Sequence, residues 1–311
     1  MQKTNITQKM EKVFLLAVAL IAGFASSTQA QILYRISGNG LESPSYIVGT
    51  YHLAPSSFVD SIPGIGKAME ETSQVCGELD MMDAFKPENA ARLMQAQMLP
   101  EGTTLSSLLS AEQLERLNTL LLDLMGSDLN DEAFAAQVNS LTPAALSTTL
   151  TLTSYMKKTQ SFNPMELIDN YFQTYALQNG KAVKGFETVD FQIGILYGDS
   201  LEKQVSDLMC MVEHFDDANE MVEQITTAYF SQNLKQIEDA MEEESKIDCG
   251  TTPEDEDKLI NNRNRNWVKV MPAMMAEQPT LFVVGAGHLC GEKGVLKLLE
   301  KVGYTVEGMK E

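Results

Sequence analysis

Basic residues, histidine and cysteine are all scarce in this chain, and each shortage excludes something. Of 311 residues, 23 are Lys or Arg against 43 Asp or Glu, a formal charge of −20. So few cations speak against holding a nucleic-acid phosphate backbone or docking on anionic lipid. The four cysteines include no C-x-x-C, which gives no support to a zinc ribbon or a thioredoxin-type redox pair. H-E-x-x-H is absent too, which excludes an ordinary zincin. With 44% hydrophobic and 21% charged residues, the composition is globular and supplies one large domain or two smaller ones.

Long apolar runs are also missing. The run Val13 to Ala25 has 13 residues, short of the roughly 20 that span a bilayer as a helix. Lys3, Lys9 and Lys12 precede it, and small residues Thr28 and Ala30 follow. That order is a secretory signal peptide, with cleavage expected after Ala30. Residues 1–30 are then the signal and 31–311 the domain. The mature chain carries 20 basic and 42 acidic residues, net −22, with no later membrane-spanning segment. It is expected to be secreted or periplasmic, where Cys76, Cys210, Cys249 and Cys290 can form disulfides. Four cysteines allow about three connectivities, and spacing does not choose among them.

Strand patterns cluster near both ends. Ile32 to Ser37, a Gly38-Asn39-Gly40 turn and Ser45 to Gly49 predict a β-hairpin. Gln74 to Leu79, Ala182 to Glu187, Thr280 to Val284 and Tyr304 to Glu307 read as further strands. Between them the pattern is helical. Ser110 with Gln113 forms a capping box, and Thr142-Pro143 and Asn163-Pro164 place Pro at first helical positions. Gly180 stops a helix carrying Leu167, Tyr171 and Tyr175. The fold class predicted is α/β or α+β: a small central sheet from N- and C-terminal strands, with helical insertions over about 84–180 and 189–277.

What the chain does have is a repeated element. Two of its three histidines end near-identical segments, Tyr46-Ile-Val-Gly-Thr-Tyr-His52-Leu and Phe282-Val-Val-Gly-Ala-Gly-His288-Leu. Each is an apolar strand closing in Val-Gly-x-x-His-Leu. Glycine permits a turn there, and strand ends are where sheet folds place ligand sites. Two such strands side by side bring two imidazoles together, as metal ligands or general bases. Glu78 and Glu187 also stand at strand ends, where a carboxylate can ligate a divalent ion or activate water. In a helix over 258–277, Arg263, Trp267, Val270, Met271 and Met274 share one face. A buried Arg263 needs an anionic partner, either a substrate group or an active-site carboxylate. His214, flanked by acids on a helix, reads as a solvated surface residue.

These segments resemble the TraB/GumN family, which includes the Tiki-type metalloproteases. The resemblance covers most of the mature chain through LYRISGNGLESPSYIVGTYHL, QVCGELD, GFETVDFQ, RNRNW and TLFVVGAGHLCGEKGVLKLLEKVGYTV. It implies a fold shared with erythromycin esterase-like and ChaN-like proteins. It implies a divalent ion (Mn, Co or Zn) held by His52, His288 and Glu78, with Glu187, Arg263 and Asn264 as further site residues. Cys76 and Cys290 depart from the family pattern and lie close in sequence to Glu78 and His288. Beside the resemblance they are expected to bridge each other, leaving Cys210 with Cys249. Asn262 stands where the pattern has an acid.

The function expected is a secreted metal-dependent hydrolase, foremost a peptidase, acting on a peptide or small molecule of the cell envelope. Two alternatives stand beside it: a metal-free esterase-like hydrolase with a His base, and a non-catalytic protein binding haem or an envelope component.

Overall fold

Short strand segments near both ends of the chain, with one in its middle, build one six-stranded sheet. The computed structural model describes residues 31–159, 162–163, 166–246 and 249–310. Its strands are β1 (Leu33–Ser37), β2 (Ser45–Thr50), β3 (Gln74–Leu79), β4 (Ala182–Glu187), β5 (Thr280–Gly285) and β6 (Thr305–Gly308). They lie in the order β4-β3-β5-β2-β1-β6. The neighbours among β4, β3, β5 and β2 are parallel, so all four end at one edge. β1 pairs antiparallel with β2, as the predicted hairpin, and β6 pairs antiparallel with β1.

Alternate residues face two helical layers, which makes the molecule mixed α/β as expected. On one face Tyr46, Val48, Val75 and Leu281 pack on Ile168, Phe172 and Tyr229. On the other, Ile47, Cys76, Phe282 and Val284 pack on Trp267, Met271 and Leu299. A separate apolar cluster around Leu105, Leu117, Leu146 and Leu208 holds part of the helical middle together. Helices occupy the chain between β3 and β4 and between β4 and β5.

Local signals act where they were expected. Ser110 and Gln113 form a reciprocal capping box. Thr142 caps a helix with Pro143 in its first turn. Gly180 takes φ +67° behind the helix Ile168–Gln178. Pro164 and the proposed signal peptide lie outside the described residues. Among the described residues no helix is long and apolar enough to cross a membrane.

Two expectations are corrected. Cys210 and Cys249 form a disulfide across a separation of 39 residues, but Cys76 and Cys290 are free thiols. The sheet explains it. Cys76 sits in the layer with Trp267, whereas Cys290 packs against the opposite one. The buried face of the helix Asn262–Glu277 is also turned from the expected stripe. Arg263, Asn264, Trp267, Val268, Met271 and Met275 are buried, and Val270 is exposed. The Phe186 ring, stacked between Trp267 and Phe282 at 5.1 and 5.5 Å, ties that face to β4 and β5.

Candidate functional site

Parallel pairing sets the site, because it delivers the C-terminal ends of β2, β5, β3 and β4 to one edge. β2 and β5 are neighbours, paired Gly49 to Val284 and Thr50 to Gly285. The two Gly-x-x-His segments therefore leave adjacent strands, staggered by one residue. They then diverge. Ala286–Leu289 winds into a short 3₁₀ turn that buries His288, whereas His52 follows an open turn with 72% of its side chain accessible. Gly49 makes the contact possible: a Cβ there would lie 2.9 Å from the Ala286 Cα.

His288 joins a buried polar network centred on Arg263. The Arg263 fork grips Glu187 from Nε and Nη2 at 2.8 and 2.9 Å. Nη2 also donates to Glu78 at 2.5 Å, and Nη1 donates to the Leu259 carbonyl at 3.0 Å and to His288 Nε2 at 3.1 Å. All five guanidinium N–H groups are thereby used. The anionic partner expected for Arg263 is thus a pair of the protein's own carboxylates, in the bidentate geometry arginine favours. A π-helical turn at Asp257–Asn261 leads into the helix carrying Arg263 and Asn264. Such widened turns recur at functional sites.

Hydrogen bonding defines the tautomer of His288. Asn264 Nδ2 donates to the His288 and Lys293 carbonyls, so its Oδ1 accepts from His288 Nδ1 at 2.7 Å. Nε2 then carries the lone pair. Burial pushes His288 down to about 4, and Arg263 and His52 add to the effect against Glu78. The imidazole is neutral at pH 7. Trp267 covers it with ring centroids 4.4 Å apart and donates to Glu187 at 2.9 Å. Glu78 accepts from the Gly285 amide at 2.8 Å and lies 3.8 Å from His288 Nε2. Burial works against its charge, but His288, Arg263, His52 and that amide hold its carboxyl below the ordinary range.

His52 has a partner that sequence reasoning missed. Its Nδ1 lies 3.0 Å from Asp169, whose other oxygen accepts from Thr50 at 2.5 Å. The Asp169 carboxylate pushes the imidazole up to about 9, with Glu78 helping and Arg263 opposing. His52 is therefore protonated at pH 7. In sequence Asp169 is merely an acid in a helix's first turn, where the dipole accounts for it, so nothing marked it out. His214 is half-buried beside Asp217 at the end of the helix Leu201–Glu213.

The structure thus unites Glu78, Glu187, Arg263, Asn264 and His288, and sets His52 on the adjacent strand end with Asp169. In kind, the donors suit a divalent cation. Each imidazole has an oxygen on Nδ1, the arrangement that orients histidine ligands, and two carboxylates face one guanidinium. In position, they are held by Arg263. Among the described residues no group of three or more His, Cys, Asp or Glu is drawn together as a metal cluster, so the expected trio of His52, His288 and Glu78 is not assembled as one. The physical reason is that the guanidinium bonds both Glu78 and His288 Nε2.

Known proteins similar to this chain include three that are named metalloproteases. "Metalloprotease TIKI homolog" of Amphimedon queenslandica is 24% identical over 95% of this chain and 66% of its own length. Metalloprotease TIKI1 of Danio rerio is 26% identical over 86% of this chain and 61% of its own. Metalloprotease TIKI2 of the same fish is 24% identical over 85% and 58%. This chain therefore spans less than two thirds of the length of each. No solved structure matches. Because the family model matches residues 32–308, nearly the whole described region, the chain belongs to the TraB/PrgY/gumN family.

Proposed function

We propose that this protein is a metal-dependent peptide hydrolase acting outside the cytoplasm. The observation that carries the reading is the pair of strand-end imidazoles, each with an oxygen on Nδ1 and a carboxylate nearby. His52, His288 and Glu78 would hold the ion, once His52 releases its Nε2 proton to solvent and Arg263 Nη1 gives up the His288 lone pair. A bound divalent ion of this class, Mn, Co or Zn, supplies water of lowered pKa and polarises a carbonyl. Asn264 keeps Nε2 of His288 unprotonated, and Asp169 orients His52. Glu187 retains Arg263 by its fork, leaving Nη1 and Nη2 beside the reacting groups. There the guanidinium can steady a developing oxyanion. Trp267 shields the buried side of the site from water. The relatives' printed names support a peptidase, and the Cys210–Cys249 disulfide supports an oxidising compartment reached through a signal peptide cut after Ala30.

The test is a peptide-library screen of the chain purified from its native compartment and loaded with Mn, Co or Zn. Cleavage should appear with metal, vanish on chelation, and be lost in His52→Ala and His288→Ala. No cleavage by any loaded form, with metal content equal in wild type and both variants, would end this reading.

One observation favours a second, metal-free reading. The two imidazoles differ in protonation, and Arg263 already fills the centre of the site. Glu78 would then take a proton from attacking water while the His52 imidazolium returns one to the leaving group. Hydrolysis that survives exhaustive chelation selects this mechanism.

A further inference from the structure

A cleft of about 1180 Å³ opens beside the site. It exceeds the roughly 300–1,000 Å³ of small-molecule pockets. The helices Leu201–Glu213, Phe215–Phe230 and Leu234–Glu244 form much of its wall, with the segment leading to Arg263. Gly287 and Leu259 are among its lining residues. Gly287 directly precedes His288, and the Leu259 carbonyl accepts from Arg263 Nη1. The cleft therefore abuts the strand-end network rather than standing apart from it.

Its lining has two characters. Met211, Met221, Val222, Ile225 and Met241 make an apolar floor. Methionine is unbranched and polarisable, so such a floor accepts apolar side chains of varied shape. Around it stand eight carboxylates and three lysines. All three lysines are already matched: Lys203 with Asp207 and Asp255, Lys258 with Asp199, and Lys293 with Asp257. Glu242, Glu244 and Glu256 have no ion pair with a basic side chain among the described residues. A chain of net charge −20 adds a field of the same sign.

We propose that this cleft is the substrate channel, and that it takes an extended peptide in which Lys or Arg alternates with apolar side chains. Successive side chains of an extended segment point to opposite sides. Apolar groups then enter the methionine floor while cations meet the acidic rim. The inference rests on the peptidase reading for the cleavage step, but not for binding itself.

Fluorescence anisotropy on the full chain, in chelator to suppress metal-dependent cleavage, tests it. The probes are two labelled hexapeptides with the same Leu and Met residues, one alternating with Lys and the other with Glu. The Lys probe should bind at least tenfold more tightly and weaken as salt is raised. Glu242→Lys, an exposed substitution, and Glu256→Lys should each weaken it several-fold, with the melting transition of Glu242→Lys unchanged. Equal binding of both probes, no binding of either, or indifference to both substitutions overturns the proposal. Lys-probe binding without cleavage under any metal keeps the channel and removes the peptidase reading. Cleavage of both probes without preference removes the channel and keeps the peptidase.

Discussion

The two Val-Gly-x-x-His-Leu elements are nearly the same in sequence and sit on adjacent parallel strands, yet their histidines live in opposite environments. His288 is 4% exposed, neutral, and bonded on both ring nitrogens by Asn264 and Arg263. His52 is open to solvent, protonated, and bonded to Asp169 alone among the described partners. The difference comes from the two residues after each glycine and from the groups that cover each turn. Ala286-Gly287 is small enough to wind tightly over Gly49 and under Met241. Thr50-Tyr51 is not: Thr50 turns to Asp169, and the Tyr51 ring lies tilted against Tyr229 and bonds Thr226. One repeated motif thus yields one imidazole embedded in the protein and one open to solvent.

The strongest way to break the embedded half is Arg263→Met, which leaves Glu78 and Glu187 buried without a counter-ion. Removing one partner of a buried ion pair costs about 3–5 kcal/mol, so urea melts should show a loss of that size. Arg263→Lys keeps the charge but not the planar fork, and should recover only part of it.

Next in size is the contrast between the histidines themselves. His288→Ala strands Asn264 Oδ1 and Arg263 Nη1 and should cost about 2–3 kcal/mol. His52→Ala removes a solvent-screened ion pair with Asp169 and should cost only about 0.2–1 kcal/mol, while abolishing hydrolysis as His288→Ala does. Equal destabilisation by the two would contradict the environments described.

The histidines should also carry opposite pH dependence. His52 lies near 9, above its ordinary 6.5. Its contribution is complete below about 6.5 and is lost as pH rises through 9. His288 lies near 4, below the same 6.5. Its neutral burial favours folding above about 6.5 and is lost as pH falls towards 4. Histidine NMR titrations should place one ring near each value. The smallest effect is the sharpest: Asp169→Asn should return the His52 titration towards 6.5 and leave that of His288 in place.

Much of the fold was legible because its signals are local. Short apolar runs bounded by turn residues marked the strands, the capping box at Ser110 and the Pro at 143 marked helix starts, and Gly180 marked a stop. The candidate site was legible where residues end strands, as Glu78, Glu187, His52 and His288 do. The rest depends on distant encounters. Asp169 meets His52 across 117 positions, and Arg263 meets Glu78 across 185. Nothing near Asp169 in the chain distinguishes it from an acid in any first helical turn. The Cys76–Cys290 pairing failed for the same reason: closeness to the same site in sequence does not tell which side of a sheet a thiol faces.

The sequence by itself determined the strands, their apolar faces, the repeated histidine element and the acidic character, since each depends on neighbours a few residues apart. Only the tertiary structure decided that Arg263 commits all its donors, most of them to Glu78, Glu187 and His288. It alone decided that one imidazole is neutral and the other charged, and that a Met-floored acidic cleft adjoins them. Charge state and hydrogen-bond partnership are set by what surrounds a group in space, and parallel pairing of β2, β5, β3 and β4 brings those surroundings from every part of the chain.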